Sequence, residues 1–106
     1  MKPESLLLAG IISMVIHVVY IEIIGYEGEE EFDGAKRVVV EAVNRLSLED
    51  VLIMEYSPDS FEATSKYGIL LSPTICIDGT AMFIGRVPSL SEVIDALIRS
   101  TMMPYV

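Results

Sequence analysis

A chain of 106 residues with 52% hydrophobic composition holds one core and no more, and that composition excludes disorder over most of its length. The 16 acidic residues outweigh 7 basic ones, and a net charge of -9 repels a phosphate backbone, so nucleic acid is excluded as a partner class. One cysteine and one histidine rule out an intrachain disulfide, a CxxC redox pair and a Cys/His zinc cluster, which takes about four ligands.

The chain opens on an apolar run, residues 6–16, which begins at Leu6, ends at Ile16 and carries no charge. A membrane span needs roughly 20 apolar residues; the run has the length of a signal-peptide core, but no small-residue cleavage site follows it. It reads as two fused elements. Pro3 and Glu4 suit the first turn of a helix over residues 3–14. Residues 15–24, β-branched and aromatic, suit a central strand covered on both faces. Leu6, Leu7, Leu8, Ile11, Ile12 and Met14 surround the helix, so one surface cannot bury them all. A second copy of the chain is the favoured cover, ahead of loops of the same chain or a membrane surface. His17 lies inside the strand with no second ligand type near it in sequence, and reads as a core or edge histidine.

Residues 27–33 carry the carboxylates Glu27, Glu29, Glu30, Glu31 and Asp33. Their spacing does not match a calcium loop, and they read as a solvated lead into a helix, where negative charge favours the N-terminus. A calcium or magnesium site on these oxygens is the alternative reading. The helix is expected from Phe32 or Asp33 to Leu46, with Phe32, Ala35, Val39, Ala42, Val43 and Leu46 on one stripe. The run Val38-Val39-Val40 argues for a strand, but no alternation accommodates the charged residues around it. A short strand follows over residues 51–56. Asp59 and Glu62 form a capping box for a short helix that stops at Gly68. Residues 74–77 and 81–84 flank an Asp78-Gly79 turn of the tight hairpin type. Ser89 and Glu92 repeat the capping box before a final helix with Leu90, Val93, Ile94, Leu97 and Ile98 at amphipathic spacing. Residues 101–106 form a tail. One domain spans 1–106, with its core over 15–100.

The order is helix, strand, helix, strand, short helix, strand, hairpin strand, helix, which predicts an α/β fold with a mixed four-stranded sheet. Tyr67-Gly68-Ile69, Ser72-Pro73-Thr74, Asp78-Gly79, Gly85 and Pro88, followed by the amphipathic helix, resemble the C-terminal half of small thioredoxin-like and glutaredoxin-like proteins. The resemblance implies a thioredoxin-like sheet, here with an extra apolar N-terminal helix. It implies a cis bond at Ser72-Pro73 and, at Ser72, a backbone that receives an extended peptide. It also implies a cysteine in the loop leading into the first crossover helix, and this chain has none there. A thiolate is the nucleophile of disulfide exchange, and carboxylates cannot replace it. Carboxylates in that loop would moreover raise the pKa of a nearby thiol. Cys76, the one thiol, alternates to the face opposite Ile75 and Ile77 and reads as buried and inert.

The expected function is therefore a redox-inactive binding or assembly module, a cytoplasmic homodimer joined through the N-terminal helix, with Ser72 and Pro73 as its binding residues. No cofactor, metal or catalytic residue is expected. Two other readings differ in class: a membrane-associated accessory protein docking through residues 6–16, and a redox protein using Cys76. Non-thiol catalysis by residues 29–33 with His17 ranks last, because nothing in the sequence shows a pocket that would perturb their pKa values.

Overall fold

The computed structural model describes residues 18–68 and 71–102. The helix expected over residues 3–14, His17, Ile69 and Leu70, and the tail from Met103 onward lie outside the described residues.

The elements run β1 Val19–Ile24, α1 Glu30–Arg45, β2 Val51–Tyr56, α2 Phe61–Tyr67, β3 Thr74–Ile77, β4 Thr80–Ile84 and α3 Leu90–Met102. They build one four-stranded mixed sheet in the order β2-β1-β3-β4. β1 and β2 are parallel, as a crossover helix between them requires, whereas β3 is antiparallel to β1 and β4 to β3. The apolar sequence of β1 follows from its central place, with neighbours on both edges and packing on both faces.

Strand alternation divides the core in two. Val19, Ile21 and Ile23 of β1, with Ile75, Ile77 and Phe83, meet Phe32, Ala35, Val39, Ala42 and Val43 of α1 and Val93, Ala96 and Leu97 of α3. On the opposite face Ile24 and Cys76 meet Ala63 of α2, flanked by Tyr56, Tyr67 and Ala81. The three consecutive valines are helical: Val39 is buried, Val38 packs partly against the core and Val40 faces solvent. The tertiary stripe overrides the β preference of the run.

Several boundaries move. β1 starts at Val19, four residues later than expected, and Val18 before it is not strand. α1 starts at Glu30, so Glu30, Glu31 and Asp33 occupy its first turn rather than a loop. The cap of α2 is Ser60, whose hydroxyl accepts from the Ala63 N–H at 3.1 Å, in place of Asp59. α3 continues through Thr101 and Met102, which the sequence assigned to the tail. Ile98 stands on its outer side, 37% exposed, while Ala96 takes the buried place.

Other expectations are met in the fold. Asp78 and Gly79 have φ of 48° and 84°, the pair of positive values that a type I′ hairpin requires. At α3 the Ser89 N–H donates to Glu92 Oε1 at 3.0 Å and the Glu92 N–H to Ser89 Oγ at 3.2 Å, a reciprocal capping box. The Ser72-Pro73 peptide bond is cis.

Candidate functional site

Three loops meet beyond the C-terminal ends of the parallel strands β1 and β2, the end of an α/β sheet where ligands commonly sit. They are residues 25–29, residues 57–60 and residues 71–73. Gly25 leads out of β1 with its N–H on the Tyr56 carbonyl at 3.0 Å. A Cβ there would lie 2.3 Å from the Phe32 ring, so only glycine lets α1 pack this close to the strand end. The chain then turns, with the Glu29 N–H on the Tyr26 carbonyl at 3.2 Å, and enters α1.

Ser72 ties this loop to the start of β3. Its Oγ accepts from the Tyr26 N–H at 3.3 Å and donates to Glu29 Oε1 at 2.7 Å. That contact explains why Glu29, at the N-cap of α1, makes no side-chain capping bond. The Tyr26 hydroxyl reaches the third loop, 3.4 Å from both carboxylate oxygens of Asp59. Loss of solvent, and then the neighbouring Asp59 charge, hold that phenol above its ordinary pKa. A cavity of about 410 Å³ opens beside it, lined by Gly25, Tyr26, Glu27, Phe32, Glu55, Tyr56 and Ser57. A larger shallow groove, about 540 Å³, runs along the outer side of α1 past Lys36, Val40 and Arg45 and touches none of these loops.

A second polar cluster lies inside the sheet. Glu22 sits in the middle of β1 and is 1% exposed. Lys66 Nζ donates to its Oε2 at 2.8 Å, and the Tyr67 hydroxyl donates to its Oε1. Cys76 is its partner across the β1–β3 register. Burial pushes the Cys76 thiol up to about 11, the Glu22 charge adds to that, and the Tyr67 hydrogen bond works against it. Burial, followed by the hydrogen bond to Glu22, also drives the Tyr67 phenol well above its usual range.

Of the residues singled out in sequence, Ser72 stands at the rim beside Tyr26 and Glu29; Pro73 is buried behind it, its carbonyl accepting from the Gly85 N–H at 2.7 Å, and Cys76 is fully buried on the far side of β3 from Ile75 and Ile77. The carboxylate that raises the thiol is Glu22, not the acidic loop. Glu30, Glu31 and Asp33 do not converge with Cys76; they line the first turn of α1. Among the described residues no three His, Cys, Asp or Glu side chains gather as metal ligands, and no helix is long and apolar enough to cross a membrane.

Sequence reading missed Tyr26, Glu22 and Lys66, and named Asp59 only as a helix cap and Tyr67 only within the motif, not as partners of Tyr26 and Glu22. For Glu22 a signal existed: a carboxylate between isoleucines in a strand buried on both faces demands a cation or donor. Nothing in the sequence pointed from Ser72 to Glu29, which lie 43 positions apart. No family model matches the sequence, and neither does any curated protein.

Proposed function

We propose that this chain is a thioredoxin-like domain that binds an extended peptide at the rim formed by Tyr26, Glu29 and Ser72-Pro73 and performs no thiol exchange. The strand order and orientations, with α1 and α3 on one face and α2 on the other, support that fold reading. One observation carries the functional reading. The loop that packs against Ser72 offers a tyrosine and carboxylates where thiol chemistry needs sulfur, while the single thiol is buried behind the sheet with its pKa raised to about 11.

Glu27, Glu29 and Asp59, with Glu55 paired to Lys36, leave the rim net negative, and Tyr26 and Leu71 leave apolar surface exposed beside it. A neutral or basic segment complements that surface better than an acidic one. Titrating the isotope-labelled chain with extended basic peptides is expected to shift the amides of Tyr26, Ser72 and Thr74. Ser72→Ala, which unties residues 25–29, should weaken binding about 2- to 10-fold, the worth of one hydrogen bond. The native chain should show no disulfide reductase turnover, and Cys76 should react with a thiol reagent far more slowly than in denaturant. Amide shifts confined to another surface, or measurable turnover, refute the proposal.

A further inference from the structure

Three of the residues that line the cavity beside Tyr26 are aromatic, Tyr26, Phe32 and Tyr56, and two are carboxylates, Glu27 and Glu55. Rings and carboxylates together suit a cation, because the ring face attracts it and the carboxylate neutralises it. At about 410 Å³ the space is within the range that takes a small ligand or one long side chain.

The chain already places a cation against this lining. Lys36 Nζ lies 4.4 Å from the centre of the Phe32 ring and 3.4 Å from both Glu55 Oε1 and Asp33 Oδ1. Loss of solvent works against its charge, yet Glu55, Asp33 and Glu27 outweigh that and hold the Lys36 pKa above its ordinary value. Three carboxylates thus act on one ammonium, and Lys36 leaves its surroundings net negative. Glu27 is exposed, and among the described residues no hydrogen bond or ion pair holds its side chain. Tyr26 links the cavity to the rim, since its N–H lies on Ser72 Oγ. A lysine carries a compact ammonium on a flexible four-carbon stem, which fits a lined cavity with charge around it. Resting on the peptide reading above, we propose that the cavity receives the cationic end of a basic side chain and makes lysine or arginine the residue that the rim selects.

Two extended peptides that differ only in lysine or norleucine at one central position test this on the full chain. The lysine peptide is expected to bind about tenfold more tightly, with amide shifts at Gly25, Phe32 and Ser57 that the norleucine peptide lacks. Glu27→Gln should bring that preference below about threefold, and Ser72→Ala should weaken both peptides alike. Lys36→Met, which replaces the competing charge by an apolar side chain of similar length, should raise the preference, a change that the mere loss of a structural contact would not give. Nα-acetyl-lysine methylamide, a single residue that needs no rim, should shift the same three amides at millimolar concentration, and its norleucine counterpart should not. Equal affinity of the two peptides, or a preference untouched by Glu27→Gln, overturns the cavity assignment and leaves peptide binding at the rim standing. If neither peptide shifts Ser72 while the single-residue probe still shifts the cavity amides, the cavity assignment holds and the rim reading falls; if that probe shifts nothing either, both fall.

Discussion

A carboxylate shut off from water in a central strand persists only with partners, and Glu22 has the Lys66 ammonium and the Tyr67 hydroxyl. Lys66 keeps its head half in solvent, and its pKa is raised, first by the hydrogen bond to Glu22. Tyr67 is the partner that the ammonium cannot replace, since it satisfies the other carboxylate oxygen. Tyr67→Phe should cost about 1.5–3 kcal/mol, the worth of a hydrogen bond to a charged group, seen as a lower urea midpoint with an unchanged slope. A loss below about 0.5 kcal/mol would mean that water takes the hydroxyl's place. At this scale the side of the sheet on which Cys76 lies was legible from its place between Ile75 and Ile77. Its neighbour Glu22 was not, because antiparallel register is set by the whole sheet.

Among the elements, α3 shows how local chemistry can suffice. Ser89 and Glu92 close the capping box, and Arg86 grips the same carboxylate with two nitrogens at 3.1 and 2.6 Å. The Arg86 hydrogen bond first, and the Ser89 backbone N–H second, hold Glu92 down at about 2. A carboxylate whose folded pKa is depressed contributes stability that is whole above its ordinary value near 4.5 and is lost as pH falls through about 2. Glu92→Gln should therefore lower Tm at pH 7, where the contribution is whole, and flatten the decline between those two pH values, so that the two curves converge near pH 2; an unaltered acid limb would show that the pair is loosened in solution. At α2 two neighbouring residues could each act as cap, and Ser60 wins while Asp59 turns to Tyr26. Spacing alone does not separate such neighbours, because the choice depends on a loop 33 positions away.

For the whole molecule, charge is the dominant long-range property. With 16 acidic residues against 7 basic, folding gathers like charges that the unfolded chain keeps apart. The ion pairs Arg45–Glu41, Arg99–Asp95 and Lys36–Glu55 are surface contacts of small individual worth. Raising sodium chloride from 20 to about 300 mM shortens the Debye length to below about 10 Å and should raise Tm, since screened repulsion outweighs screened pairs. A fall in Tm would show the reverse balance.

The α/β class, the order of the elements from β1 to α3, the hairpin at Asp78-Gly79, the cap of α3 and the face of the sheet on which Cys76 lies were all legible in the amino-acid sequence. These rest on periodicity and on contacts within a few residues, which short-range sterics and hydrogen bonding settle. That Ser72 joins Tyr26 and Glu29, that Glu22 is closed in by Lys66 and Tyr67, and that Leu52 and Met54 of β2 stay exposed follows from the folded sheet alone. Those contacts join residues 43 to 46 positions apart, or depend on what a seven-residue helix fails to reach, and they come into being only when strand pairing sets the register.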